Sequence, residues 1–198
     1  MVAVASGADA GAGAPAPVRA PGHARAGLER LNALSAPEAA AALAACCASH
    51  RWAAAIAAVR PYADAAQLYR IAAVEVARLD WPDVLEALTA HPRIGTRAAD
   101  RASPAAAWSR AEQAAADGPD ARTARQLAEA NAAYEAAFGH VFLIRATGRT
   151  AEQMLDAALG RLRNDPSTEQ AVVRDELNQI VRLRLDKLLL GLAEGTWP

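Results

Sequence analysis

Aromatic side chains are scarce, at 5% of the 198 residues, although hydrophobic types as a whole reach 53%. Much of that share is alanine, so a thick, ring-filled core is excluded. Helices lying close together are favoured instead, because alanine loses little entropy in a helix. Cysteine is also rare. The two present, Cys46 and Cys47, are neighbours, and a bond between adjacent residues is strained. A disulfide framework is thus excluded, and a reduced, intracellular protein is expected. Charge of either sign is not in excess: the net value is -1, with no basic stripe to meet nucleic acid or an anionic membrane surface. No apolar run approaches the roughly 18 residues of a membrane span. The N-terminus lacks the basic start and apolar block of an export signal, and Gly195-Thr196-Trp197-Pro198 is no peroxisomal tripeptide.

What is there is helical patterning with clear punctuation. Residues 1–26 are Ala, Gly and Pro with little else, which reads as a disordered tail. Order is expected from about Leu28 onward, giving a helical domain over 27–193 and a short C-terminal tail over 194–198. Ser35-Ala36-Pro37-Glu38 has capping-box spacing and opens a helix through Cys46-Cys47. Further helices are expected over 51–59, 65–78, from Asp80-Trp81-Pro82-Asp83 to His91, over 104–116, and over 121–138. Then come 151–163, capped by Thr150, and 167–192. Residues 95–104 read as a loop. The apolar stretch 140–147 has strand-like periodicity, but one isolated strand makes no sheet, so it reads as a connector extending the next helix. The class is all-α, a single domain of about eight helices.

Three places carry candidate chemistry. Pro92 forces His91 out of helical geometry, leaving it beside the unpaired carbonyls of a helix end. Their partial negative charge favours the imidazolium, a proton donor near neutral pH. The plainer alternative is a surface histidine at a helix end. Ser109, Glu112 and Gln113 share one helical face and offer a hydroxyl, a carboxylate and an amide. They form either a ligand edge or a solvated polar stripe. In the last helix Val173, Leu177, Ile180, Val181 and Leu188 make an apolar stripe on which Arg184 lies, whereas Arg182 sits beside Asn178 and Asp186 in solvent. A buried guanidinium needs an anion, supplied by an internal carboxylate or by a substrate. His23 lies in the tail, His50 reads as a turn residue and His140 as structural. The four histidines show no zinc spacing, so no metal is expected, and no phosphate-cradling glycine pattern appears.

His91-Pro92-Arg93-Ile94-Gly95, Ser109-Arg110-Ala111-Glu112-Gln113, Asn131-Ala132-Ala133-Tyr134, Phe138-Gly139-His140-Val141-Phe142-Leu143-Ile144, Arg161-Leu162-Arg163-Asn164-Asp165 and Leu183-Arg184-Leu185 occur in that order. Arg51-Trp52 and Arg60-Pro61-Tyr62 lie upstream. Over residues 28–190 this series resembles the OHCU decarboxylase family (2-oxo-4-hydroxy-4-carboxy-5-ureidoimidazoline decarboxylase). The resemblance implies an all-α fold, a homodimer, and conversion of the ureido-imidazoline acid to (S)-allantoin and carbon dioxide, in the cytoplasm and without a cofactor. It implies that His91 is the catalytic acid with Glu112 and Arg184 beside it. It also implies that Pro92, Ser109, Glu112, Gln113 and the segment Phe142, Leu143, Ile144, Arg145 and Ala146 contact substrate, the segment largely through its backbone.

The sequence departs from the family pattern at His140-Val141, where many members carry an aromatic residue and proline, and at Arg145, where a small residue is common. These departures bear on substrate fit. Three other classes compete with the decarboxylase reading. A helical adaptor explains the alanine-rich helices but not the order of the polar residues. A DNA-binding protein conflicts with the charge. An enzyme of the same fold acting on a different ureido acid accommodates His140, Val141 and Arg145.

Overall fold

The computed structural model describes residues 21–94, Trp108 and residues 120–197. Eight helices are present among the described residues: α1 Pro21–Ala33, α2 Ala36–Ala44, α3 His50–Ala58, α4 Ala65–Ala77, α5 Trp81–Leu88, α6 Ala121–Phe138, α7 Ala151–Arg161 and α8 Pro166–Glu194. The fold is all-α, as expected. The helix expected over 104–116 and the loop over 95–104 fall outside the described residues, apart from Trp108.

Most helix starts are set by local chemistry. Ser35 and Glu38 form the expected capping box, and Thr150 forms another with Gln153. Ser49, Asp64, Asp120 and Asp165 cap α3, α4, α6 and α8 through side-chain oxygens that accept early backbone N–H groups. His50 is thus the first residue of a helix rather than part of a turn. The opening helix also corrects the sequence reading. It begins at Pro21, inside the stretch read as tail, and tertiary packing explains why. A Cβ on Gly27 would stand 1.9 Å from the Leu189 carbonyl oxygen, so α1 lies backbone-close against α8, where only glycine fits. Leu28 and Leu31 are buried in the same contact. Likewise α2 stops at Ala44. Cys46 donates to Leu43 O in a tightened last turn, and both cysteines are buried and free.

Two apolar clusters result. The larger joins α1 to α5 with α8; Trp52 is fully buried at its centre and donates from Nε1 to Ala72 O at 3.1 Å. The smaller gathers Ile94, α6 and α7. The connector 141–146 runs between them. It is extended and stays out of helix until α7, so the expected helical extension does not occur. Extended chain alternates its side chains, and the connector uses both faces. Val141 and Leu143 meet the larger cluster, while Phe142, Ile144 and Ala146 enter the smaller. Gly139, at φ 75°, ends α6 in the left-handed conformation and turns the chain into this segment.

The chain after α8 folds back onto that helix. Gly195 caps α8 at φ 70°, Thr196 and Trp197 fold back to donate to Gly191 O, and the Trp197 ring packs 5.3 Å from that of Trp108. No helix is long and apolar enough to cross a membrane among the described residues.

Candidate active site

His91 lies three residues past α5, where its backbone N–H still donates to Leu88 O at 2.9 Å. Two ties from α6 hold the turn that follows. Arg93 forks onto Glu135 with contacts of 2.5 and 2.6 Å, and Asn131 donates to Ile94 O at 2.7 Å. A planar fork on a carboxylate fixes orientation as well as distance. The imidazole is half-buried as a residue, but its Nε2 is closed to solvent and has no hydrogen-bond partner among the described residues.

This environment acts against the imidazolium that the helix end favours. Burial, followed by the positive charge of Arg184, pushes the His91 pKa down to about 3. Both effects favour the neutral imidazole, the form that accepts a proton. Arg184 is fully buried on α8. Its charge also acts on the thiols of Cys46 and Cys47, so α2, α5 and α8 converge here. Burial nonetheless raises both thiols, Cys47 to about 11, which leaves them protonated and poor nucleophiles. Arg182, by contrast, is exposed, over the Tyr69 ring and 3.7 Å from Asp186.

The connector 141–146 is anchored by charged groups buried in α7 and α8. Arg161 donates to Leu143 O at 2.7 Å, stacks 4.7 Å above the Phe142 ring, and pairs with Glu169 at 2.5 Å. Tyr134 also donates to Glu169, and Asn164 donates to its other oxygen at 2.8 Å. Glu176 accepts the Arg145 backbone N–H at 2.8 Å. Helix α8 thus carries Glu169, Glu176 and Arg184 into the interior along one rigid rod. Sequence reasoning assigned no role to the first two. The available signal was their position on the same apolar stripe as Val173, Leu177 and Ile180.

Of the residues expected at the site, His91 and Arg184 come together, with Pro92 beside them in the chain. The Phe142 side chain is 2% exposed and packed in its own cluster, so any ligand contact there falls to the backbone. Leu143, Ile144 and Ala146 are likewise buried, and Arg145 is partly exposed. Ser109, Glu112 and Gln113 lie outside the described residues. His140 is buried among Trp81, Tyr134 and Phe138, at ring distances of 5.2, 5.4 and 6.2 Å, and faces the Val141 carbonyl with Nδ1. Its role there is packing. Other recurring motifs also prove structural: Arg60 binds the carbonyls of Leu31 and Leu34, and Tyr62 donates to Ile56 O.

Comparison with known proteins bears on the family and the fold. The family model for OHCU decarboxylase matches residues 32–186. The uric acid degradation bifunctional protein TTL of Arabidopsis thaliana is 34% identical over 151 residues, covering 75% of this chain and 47% of that protein. The chain therefore spans about half the length of this curated relative. A crystal structure of OHCU decarboxylase in the presence of (S)-allantoin superimposes with a TM-score of 0.63 at 30% identity, over 74% of this chain and 95% of that one. A crystal structure of (S)-allantoin synthase shares the fold, with a TM-score of 0.58 at 20% identity over 81% of this chain and 53% of the other. The chain belongs to the OHCU decarboxylase family.

Proposed function

We propose that the protein decarboxylates 2-oxo-4-hydroxy-4-carboxy-5-ureidoimidazoline to (S)-allantoin and carbon dioxide, as a step of urate degradation. The observation that carries this reading is the buried, unpartnered Nε2 of His91 within electrostatic reach of the fully buried Arg184. Family membership and the structure solved in the presence of (S)-allantoin support it.

The substrate bears its carboxylate on a carbon that also carries a hydroxyl and adjoins a C=N bond. When carbon dioxide leaves, its bonding pair forms a C=C bond to the ureido-bearing carbon, the C=N π pair moves onto the nitrogen, and the nitrogen takes up a proton from solvent. The substrate is its own electron sink, which removes the need for an organic cofactor. The resulting enol becomes a ketone by losing its hydroxyl proton, while the ureido-bearing carbon gains a proton. His91 starts neutral, accepts the first of these protons and delivers the second to one face, which makes the product chiral. Arg184 stabilises the negative charge that moves through the site. Glu112, Ser109 and Gln113 bind the ureido and ring N–H groups, Pro92 contacts the substrate beside His91, and the backbone of 142–146 forms the opposite wall.

The protein acts in the cytoplasm, which suits two free thiols, and as a homodimer. Light scattering after gel filtration tests the second point, and a monomer mass sinks it. The main test is chiral. The unstable acid is made in place from urate by the two preceding enzymes, and circular dichroism follows the allantoin formed. Rapid appearance of one enantiomer is expected. Slow racemic product, the outcome of spontaneous decay, overturns the proposal.

A further inference from the structure

Glu176 is a buried charged residue to which the reaction above gives no part. It is 7% exposed, and its two oxygens face different groups. One accepts the Arg145 backbone N–H at 2.8 Å; the other meets the Arg149 guanidinium at 3.2 Å. The Arg149 side chain is 30% exposed, so solvent weakens the ion pair. Burying a carboxylate is costly unless its hydrogen bonds are made, and a charge-assisted bond to an amide is about twice as strong as a neutral one. Such a grip holds backbone more firmly than a neutral acceptor would. The segment gripped is the one whose alternating side chains fill both cores, so its backbone has little freedom to shift without disturbing one of them.

We propose that Glu176 is a positioning residue. By holding the Arg145 amide it fixes the 142–146 backbone relative to Arg184, which stands further along the same helix. It thereby sets both the tightness of substrate binding and the face to which the proton is delivered. This rests on the decarboxylase reading, in which that backbone is a substrate wall. The guanidinium of Arg149 is accessory.

The experiment uses the full chain with Glu176→Leu, Glu176→Gln and Arg149→Ala. Hydrogen exchange at the Arg145 amide, KM and kcat, product chirality and thermal unfolding are measured on each. Glu176→Leu is expected to speed Arg145 exchange about tenfold, the equivalent of one lost hydrogen bond, to raise KM more than it lowers kcat, and to erode enantiomeric purity. Glu176→Gln keeps a neutral, weaker acceptor and is expected to fall between the parent and the Leu variant, while Arg149→Ala keeps the carboxylate and stays within about twofold of the parent. The proposal is overturned if folded Glu176→Leu matches the parent in exchange, KM and chirality, or if Arg149→Ala reproduces the Leu variant. If the Leu variant does not fold, Glu176→Ser, which is polar but too short to reach the amide, takes its place with the same criteria. Racemic product from the parent protein overturns the decarboxylase reading separately, and the exchange data then decide the Glu176 grip alone.

Discussion

The guanidinium of Arg184, buried in α8, opposes protonation of the His91 imidazole that follows α5, and burial of the ring acts in the same direction. A cation and a neutral base held side by side are stable only while no proton arrives, and a substrate carboxylate changes that balance. Bound next to Arg184, an anion offsets the positive charge and raises the proton affinity of His91. In the proposed reaction the base is thereby readied as an acid when substrate binds.

Replacing His91 by Asn preserves the approximate shape of the ring's polar edge but removes proton transfer. Stereospecific turnover is expected to fall by about 10²- to 10⁴-fold, the usual contribution of a positioned acid–base group. The far-ultraviolet circular dichroism should match the parent. Retention of parental enantioselectivity would refute the role assigned to His91.

Arg184→Met keeps a long, flexible side chain and deletes the charge. The His91 imidazole should then titrate at higher pH than in the parent, because one of the two causes of its depression is gone. Nitrogen-15 NMR of the ring reads this directly. Turnover should be lost even where the variant is folded, and an unmoved His91 titration would show that the two groups are not coupled.

His91 also makes the fold sensitive to acid. Its pKa is lowered on folding, so between the ordinary value of 6.5 and about 3 the unfolded chain binds more protons than the native one. Stability is expected to decline as pH falls through that window and to be unaffected by this group above it. Urea unfolding at a series of pH values checks this, with His91→Asn as the control. An equal slope in both proteins would place the sensitivity elsewhere.

Arg161→Ala should damage stability more than any surface substitution. It leaves the Glu169 carboxylate, which is completely buried, without its ion pair, and releases the Leu143 carbonyl. Breaking a buried pair in this way costs about 3–5 kcal/mol. Arg161→Ala with Glu169→Leu should recover part of that loss, and chemical unfolding of the single and double variants measures the difference.

Gly27→Ala tests the approach of α1 to α8. The added methyl meets backbone rather than a movable side chain, so the helices must part, at a cost of about 1–3 kcal/mol. Exchange of the α1 amides should rise with little change at α6 and α7. A neutral effect on both stability and exchange would contradict the close contact.

The parts of this fold that were legible in the sequence are those specified within a few residues. Ser35 and Thr150 advertise their caps by spacing, and the apolar stripe around Arg184 shows which arginine turns inward. What escaped depends on distant neighbours. Nothing near Pro21 shows that Leu189 will receive Gly27. Nothing in 140–147 distinguishes a helix extension from a strand-like bridge, because two separate cores decide it. The surroundings of His91 depend on distant parts of the chain in the same way. Its local helix end was visible, whereas the burial and the remote cation that act against it were not.

Helix α8 places three buried charges along one rod, and this makes the protein sensitive to length as well as to composition at that point. One residue inserted between Glu169 and Arg184 would turn everything beyond it by about 100° and advance it by about 1.5 Å. Glu169 would still hold Arg161, so the α6–α7 side of the molecule would assemble normally. Arg184 would swing off its stripe and out of reach of His91. Substitutions of one apolar residue for another along α8 are tolerable wherever volume is kept, while a single-codon insertion is expected to separate folding from activity.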